Sequence, residues 1–217
     1  MNIEQARFNM IEQQIRTWEV LDQAVLSLLA VVKREDFVPP AYRAMAFVDT
    51  ETPLPGGQCM LAPKVEARLL QELAVHKHER VLEIGAGSGY MAALLGHKAQ
   101  QVVTMEINAE LAAMARSNLQ RASVMNVDVQ QADGSRGAAA EGLFDVILLS
   151  GSVAQVPSAL LAQLKVGGRL AAIVGQQPIM RATLVTRGGE HDFASVELFD
   201  TVAPRLSGFD EPSRFKF

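Results

Sequence analysis

The feature that most constrains this chain is a glycine-rich segment at residues 81–90, which reads Val-Leu-Glu-Ile-Gly-Ala-Gly-Ser-Gly-Tyr. A short, largely apolar run typical of a strand leads directly into glycines at positions 85, 87 and 89. Glycine at alternate positions lets the backbone turn sharply and lets a ligand lie against bare peptide. The segment therefore predicts a strand that turns into a helix, with a nucleotide-like ligand at the turn.

The spacing and charge of this segment discriminate between two classes of nucleotide ligand. The dinucleotide fingerprint would place its third glycine at position 90, whereas here the third glycine is Gly89 and Tyr90 follows. Glu83 would repel a pyrophosphate but would attract a cation such as S-adenosylmethionine (SAM), which carries a sulfonium and an ammonium. The acid-x-Gly-x-Gly-x-Gly pattern resembles the first motif of class I SAM-dependent methyltransferases. We therefore expect SAM, and rank a nicotinamide dinucleotide last.

From residue 81 onwards, segments typical of strands alternate with segments typical of helices. This alternation predicts an α/β fold with a doubly wound, mostly parallel, seven-stranded sheet covered by helices on both faces. The nearly continuous apolar character of the strands fits a sheet buried on both sides. Gly188-Gly189 separates the last two strands and indicates a C-terminal hairpin at one edge. The predicted strands cover 81–84, 102–105, 127–131, 146–149, 170–174, 183–186 and 195–201, with helices at 109–121 and 156–164.

Two helices are predicted ahead of this core. The first carries apolar side chains at helical spacing, namely Phe8, Ile11, Ile15 and Trp18. The second is expected to begin after a cap at Asp22 and to end at Lys33-Arg34, whose charges suit a helix C-terminus. Pro39-Pro40 prevents a simple continuation of that helix.

A long loop is predicted between Phe47 and Pro63, because this stretch contains three prolines and two adjacent glycines. Loops of this length in compact domains often carry function. A further helix follows, with Val65, Leu69, Leu70 and Leu73 on one face. We expect a single domain over residues 1–217, in which residues 1–62 cap the site and residues 63–217 form the SAM-binding core.

Acidic residues fall at the predicted strand ends, where ligands collect in a doubly wound sheet. Glu106 comes about 20 residues after the glycines, where a carboxylate can accept hydrogen bonds from both ribose hydroxyls. Asp133-Gly134 follows the third strand and is expected beside the adenine. Asp145 begins a strand instead of ending one, so we assign it no catalytic role. The alternative for Glu106 and Asp133 is that each merely caps a helix or turn.

Composition excludes several other classes of function. A net charge of -4 provides no broad basic field, which disfavours nonspecific nucleic-acid binding. The longest apolar stretch, residues 24–32, is too short to cross a bilayer. The single cysteine, Cys59, fits a reducing compartment, so we expect a cytoplasmic protein. The four histidines are scattered and have no cysteine partners, so no metal site is expected.

Beyond the glycine motif, the chain resembles the bacterial protein-L-isoaspartate O-methyltransferases over nearly its whole length. The N-terminal blocks are the most distinctive part, because generic SAM methyltransferases lack them. The matching blocks are Arg7 with 10–15, then 32–39, Pro53-Leu54-Pro55, Gly57-Gln58, Ala62-Pro63, 82–90, Asp133-Gly134 and 160–170.

The resemblance implies a function and a set of cofactor contacts. The substrate would be an isoaspartyl carboxylate in a damaged protein or peptide, methylated so that the ester can collapse to a succinimide. Methyl transfer to an ionised carboxylate requires positioning and no general base. The implied SAM contacts are Gln58, Cys59, Met60, Leu61, Glu83, Gly85, Ala86, Gly87, Ser88, Gly89, Glu106, Asp133 and Gly134.

The loop at residues 59–61 departs from the family pattern. Members usually read Gly-Gln-Thr-Ile-Ser-x-Pro, whereas this chain has Cys59, Met60 and Leu61 in place of Thr-Ile-Ser. Leu61 occupies the serine position and cannot donate a hydrogen bond, so the catalytic residue stays open. Ser150 and Ser152, in a segment that also departs from the family, are candidates to supply the hydroxyl. Two alternatives remain, a paralogue with another substrate and a SAM-binding protein without turnover, and the oligomeric state is left open.

Overall fold

The computed structural model describes residues 2–211, and its centre is one seven-stranded sheet. The strands are β1 (Arg80–Ile84), β2 (Gln101–Glu106), β3 (Val127–Gln131), β4 (Phe144–Val153), β5 (Leu164–Gln176), β6 (Ile179–Arg187) and β7 (Phe193–Thr201). Their order across the sheet is β3-β2-β1-β4-β5-β6-β7. The first five are parallel, while β6 and β7 are antiparallel and form the C-terminal edge. The predicted fold class is confirmed.

The strand order reverses at the pair β1 and β4. The chain runs outwards from β1 to β2 and β3, then returns to place β4 on the other side of β1. A crevice at the carboxyl ends of these strands is the usual ligand site of a doubly wound sheet. The glycine turn after β1 lies at this position.

Helices cover both faces of the sheet. They are α1 (Ile3–Asn9), α2 (Gln23–Val31), α3 (Pro63–Leu73), α4 (Tyr90–Lys98), α5 (Ala109–Arg121) and the short α6 (Ser158–Leu161). Asp22 caps α2 through Ala24 N–H, as expected, and Asn108 caps α5. The apolar side chains form two clusters, one on each face, and the N-terminal helices share a cluster with α3, α4 and α5.

The register of the first helix differs from the prediction. The helix continues past α1 as a π-helical turn, Met10–Ile15, and a 3-10 turn, Arg16–Trp18. The buried positions are Arg7, Met10, Ile11 and Ile15, while Phe8 is 58% exposed. Phe8 was therefore wrongly assigned to the apolar face, because a buried arginine paired with Glu35 takes the place expected for an apolar residue.

Two predicted helix ends were also wrong. Helix α2 ends at Val31 and not at Lys33-Arg34, and Arg34 is fully buried in an ion pair with Glu66. The helix predicted at 156–164 is reduced to α6, because Pro157 precedes it and β5 already begins at Leu164.

The loop before α3 folds back on itself. A two-residue antiparallel ladder joins Thr52–Pro53 to Cys59–Met60, with a 3-10 turn at Pro55–Gly57 between them. This arrangement brings residues 58–61 to the carboxyl end of β1. No helix within residues 2–211 has the length and apolar content that crossing a membrane would require.

Candidate active site

The glycine turn adopts backbone conformations that only glycine reaches without strain. Gly85, Gly87 and Gly89 have φ of +92°, +51° and +84°. Gly89 precedes α4, and a Cβ there would lie 3.1 Å from the Cα of Ala115 in α5. Gly85 and Gly87 face the cleft, whereas Gly89 serves close packing between the helices.

Glu106 is tied to the glycine turn by its carboxylate. One oxygen, Oε2, accepts from Gly87 N–H at 2.9 Å, and Oε1 accepts from Asn108 N–H at 3.0 Å. The side chain is buried at the end of β2 and lines the cleft. Each oxygen keeps a lone pair for a further donor. Glu106 thus stabilises the local turn and also has acceptor oxygens available to a ligand. The two interpretations of Glu106, as a turn cap and as a ribose acceptor, are therefore compatible.

The wide part of the cleft lies over the ends of β1 and β2. Six of the expected cofactor contacts line it together, which are Gln58, Cys59, Gly85, Gly87, Glu106 and Gly134. The other lining residues are Ile84, Met105, Ile107, Asn108, Leu111, Ser150, Leu206 and Ser207. Sequence reasoning missed most of these. Asn108 carried a signal as a helix cap, but Leu206 and Ser207 reach the site only through the fold.

A narrow recess opens from the same cleft behind the loop. It contains five more expected residues, which are Met60, Leu61, Glu83, Ala86 and Ser88, together with Leu54, Glu66, Tyr90 and Met91. Cys59, Gly85, Gly87 and Ser150 border both the wide cleft and the recess. We use the name recess for this lined space throughout.

Glu83 lies at the inner wall of the recess and is fully buried. Its carboxylate accepts from Thr104 Oγ1 at 2.6 Å and from Ser150 Oγ at 2.7 Å. Burial raises the pKa of Glu83 from 4.5 to about 7, although the two hydroxyl hydrogen bonds act in the opposite direction. A cation beside this buried carboxyl group would stabilise its ionised form.

The backbone carbonyl of Leu61 faces a buried arginine. Its side chain is 5% exposed and packs in the core, while its carbonyl accepts from Arg34 Nη2 at 2.9 Å. Neither candidate serine hydroxyl is free, because Ser150 donates to Glu83 and Ser152 donates to the carbonyl of Ala203 at 2.8 Å. The hydroxyl absent at position 61 is therefore not directly replaced by either of them in this structure.

Asp133 is separated from the cleft that Gly134 lines. Its carboxylate accepts from Ser135 N–H at 2.9 Å and lies next to Gly208, in a neighbouring polar groove. Within this structure it acts as a turn cap, which was the alternative at the sequence level. Asp145 lies at the start of β4 and pairs with Lys165 and Arg80 N–H, away from the cleft.

The Cys59 thiol, which lines the cleft, is not ionised at neutral pH. Burial and the nearby Glu51 carboxylate raise the pKa of the Cys59 thiol to about 12, so the thiol stays protonated. Across residues 2–211, no three His, Cys, Asp or Glu side chains cluster as metal ligands would. Carboxyl, hydroxyl and amide groups line the cleft and the recess.

Known proteins match this chain in sequence and in structure. The family model described as protein-L-isoaspartate(D-aspartate) O-methyltransferase matches residues 5–198. A protein-L-isoaspartate O-methyltransferase of Koribacter versatilis is 42% identical over 181 residues, which are 83% of this chain and 81% of the relative. One from Rhodopseudomonas palustris is 41% identical over 192 residues, or 88% of each chain.

Structural similarity agrees with the sequence matches. A Plasmodium falciparum chain named for the same activity and solved with S-adenosyl-L-homocysteine (SAH) superposes with a TM-score of 0.79. The match covers 93% of this chain and 98% of that one at 20% identity, which supports the fold alone. The sequence matches cover enough of the chain, at high enough identity, to settle its family. This chain belongs to the protein-L-isoaspartate(D-aspartate) O-methyltransferase family.

Proposed function

We propose that this protein transfers a methyl group from SAM to the free carboxylate of isoaspartyl residues in proteins and peptides. The observation that carries the proposal is the pairing of Glu106 with the glycine turn. Two backbone N–H groups orient its carboxylate beside Gly85 and Gly87, where a ribose diol can donate to it. Family membership supplies the reaction class.

The residues of the cleft fit an adenosyl cofactor. When bound, SAM supplies a methyl group on a positively charged sulfur. Glu106 would accept from the ribose hydroxyls, and the positive-φ glycines leave bare backbone against the ligand. Met105, Leu111 and Gly134 provide an apolar space for a purine. Burial of Glu83 suits the cationic part of the cofactor, since no pyrophosphate would be stable beside it.

The loop at 58–61 separates the cleft from bulk water. Gln58 is exposed, whereas Met60 and Leu61 are buried and close the recess. An acceptor carboxylate is ionised near pH 7, so the chain need only orient it and exclude water. We propose Gln58, Cys59, Met60 and Leu61 as contacts at this end, and Asp133 as a contact made through the neighbouring turn.

The partner would be a protein or peptide substrate that bears isoaspartate. A net charge of -4 makes nucleic acid an unfavourable partner. The single cysteine suits a reducing compartment, so we place the protein in the cytoplasm.

The decisive experiment measures base-labile methanol released after incubation with tritiated SAM. An isoaspartyl peptide is compared with its aspartyl twin of the same sequence. We expect release from the isoaspartyl peptide alone. Equal release from both, or no binding of SAM by calorimetry, would overturn the proposal.

A second candidate function is favoured by the loop. Leu61 offers no donor, and the hydroxyls of Ser150 and Ser152 are already engaged. A paralogue that methylates another acceptor, or a SAM-binding protein without turnover, would retain the cofactor site while lacking this hydroxyl donor. Tight SAM binding with neither peptide methylated would support this candidate.

A further inference from the structure

After β7 the chain crosses the carboxyl edge of the sheet and reaches the cleft. We call residues 203–207 of this crossing the strap. The Arg205 guanidinium donates to the carbonyl of Gly175, near the end of β5, at 2.9 Å, and Arg205 forms a parallel bridge with Ser152 in β4. The last two residues of the strap line the wide part of the cleft. Part of the cleft wall therefore belongs to a segment outside the seven strands.

Ser152 binds the strap through all three of its hydrogen-bonding groups. Its N–H donates to the carbonyl of Pro204 at 2.8 Å, and its carbonyl accepts from Leu206 N–H at 2.9 Å. Its hydroxyl donates to the carbonyl of Ala203 at 2.8 Å. Ser152 is fully buried, so water does not compete for these bonds. Any residue at this position could form the two backbone bonds, whereas the third depends on the serine side chain.

Two glycines leave room for the side chain of Leu206. A Cβ at Gly151 would lie 2.8 Å from both Cγ and Cδ2 of Leu206, and a Cβ at Gly85 would lie 2.9 Å from Cδ2. These distances are shorter than van der Waals contact, so a side chain at either glycine would displace Leu206. Gly85 also has a positive φ that favours glycine, whereas Gly151 does not. At Gly151 the requirement is therefore one of space.

Leu206 lies where the wide cleft meets the recess. Its side chain lies against Gly85, which borders both spaces, and Cys59 of the loop borders both as well. Glu106, the ribose acceptor of the proposed function, is oriented by backbone N–H groups outside the strap. A displaced strap should therefore change the end of the cleft beside the loop more than the ribose end.

We propose that Ser152 is a positioning residue for the acceptor carboxylate. Its hydroxyl fixes the start of the strap, and the strap in turn fixes Leu206 in the wall between the cleft and the recess. Gly151 contributes to the same arrangement by providing the space for Leu206. The inference rests on the proposed function, because it assumes that the isoaspartyl carboxylate enters at the end of the cleft beside the loop.

The first test is Ser152→Ala, which removes the hydroxyl and keeps both backbone hydrogen bonds. The value of kcat/KM for an isoaspartyl peptide should fall roughly fivefold, the effect of one neutral hydrogen bond, while KM for SAM and the calorimetric affinity for SAH should stay within about twofold of wild type. Thr183→Val is the matched control, because Thr183 is a buried residue of β6 whose hydroxyl donates to the carbonyl of Arg181 in the same strand. This control should keep the wild-type kcat/KM.

Amide hydrogen exchange shows whether the effect passes through the strap. The N–H of Leu206 is bonded to the carbonyl of Ser152, so its exchange rate reports how firmly the strap is bound. In Ser152→Ala this N–H should exchange roughly fivefold faster, because opening the strap breaks one hydrogen bond fewer. Thr183→Val should leave the rate unchanged.

A double-mutant cycle tests the space at Gly151. Gly151→Ala places a methyl group against Leu206 and should lower kcat/KM roughly tenfold, and Leu206→Ala should lower it by a similar factor. The truncated side chain no longer meets the new methyl, so the double variant should show roughly the same tenfold loss and not the product, roughly 100-fold. The tight approach of the methyl to the Pro204 carbonyl oxygen, at 3.2 Å, is present in both backgrounds and cancels. This cycle carries the test if Ser152→Ala does not fold.

Three results would overturn the inference. They are a wild-type kcat/KM in Ser152→Ala, a loss of activity in that variant without faster exchange at Leu206, and losses that multiply in the cycle. A lower melting temperature with unchanged kcat/KM would leave Ser152 with a structural role alone. If the wild-type protein methylated no isoaspartyl peptide, the proposed function itself would fail, and the inference with it.

Discussion

The two ends of the cleft hold their acids in different ways. At the wide end, Glu106 accepts from the backbone N–H groups of Gly87 and Asn108, which belong to the turns beside it. In the recess, Glu83 accepts from the side chains of Thr104 and Ser150, which come from two neighbouring strands. The first carboxylate is oriented by local turns and the second by the assembly of the sheet.

This difference implies different responses to substitution. Removing Glu106 should damage cofactor binding and the local turn together, because one side chain serves both. In the recess, Glu83 is buried without an ion-pair partner, since Arg34 pairs with the other acid of the recess, Glu66. Neutralising Glu83 should therefore separate the stability of the protein from its affinity for the cofactor.

The largest effect is expected from Glu106→Ala. Affinity for both SAM and SAH should fall roughly 100-fold or more, because two hydrogen bonds from ribose to a charged acceptor are lost. Calorimetric titration measures both values. Glu110→Ala, an exposed acid in the first turn of α5, is the control and should stay near wild type. A loss of less than threefold in Glu106→Ala would contradict the ribose assignment.

Glu83→Gln should alter the pH dependence of stability. The folded-state pKa is about 7, above the ordinary 4.5, so the contribution of Glu83 to stability is full below pH 4.5 and is lost as pH rises through 7. The variant lacks this loss and should gain several degrees in melting temperature over wild type between pH 4.5 and 8 in the ligand-free state. Its affinity for SAM should nevertheless fall.

Melting curves recorded across that pH range check this prediction. The comparison with wild type cancels Asp145 and Glu79, whose lowered pKa values act at the acid end of the range. Burial also raises the pKa of Glu66 to about 7, and its charge raises the pKa of Glu83, so the difference between the two curves includes the coupling of these two acids. Glu197→Gln, at an exposed acid of the edge strand, is the control for removing a carboxyl charge and should change the melting temperature little, because its ion pair with Arg181 is solvent-exposed. If Glu83→Gln followed the wild-type curve in parallel, the burial argument for Glu83 would be wrong.

Features set by local backbone chemistry were predictable from the sequence. The alternate glycines, the acid 19 residues after Gly87 that closes β2, and the cap at Asp22 all act on neighbouring residues. The sheet followed from alternating apolar runs, since each run must be covered on both faces. These signals need no knowledge of distant contacts.

Features created by distant partners were not predictable. Arg34 was interpreted as a charge at the C-terminus of α2 because its partner, Glu66, lies 32 residues away in α3. Phe8 was placed on the apolar face because the π-helical turn and the Arg7–Glu35 pair have no signature at helical spacing. Leu206 reaches the cleft from beyond the last strand of the sheet. A single sequence gives no indication of such pairings.

The smallest effect is expected from Leu61→Ser, which restores the hydroxyl that the family carries at this position. Loss of a buried leucine should cost roughly 2–4 kcal/mol of stability, since the side chain is 5% exposed. If the recognition of the acceptor carboxylate is limited by the missing donor, kcat/KM for an isoaspartyl peptide should still rise several-fold. Leu54→Ser, at a buried leucine that lines the same recess, is the matched control and should lose stability without gaining activity. A fall in kcat/KM in both variants would show that packing at this end of the cleft matters more than the hydroxyl, and the acceptor would then have to be recognised by backbone groups of the loop.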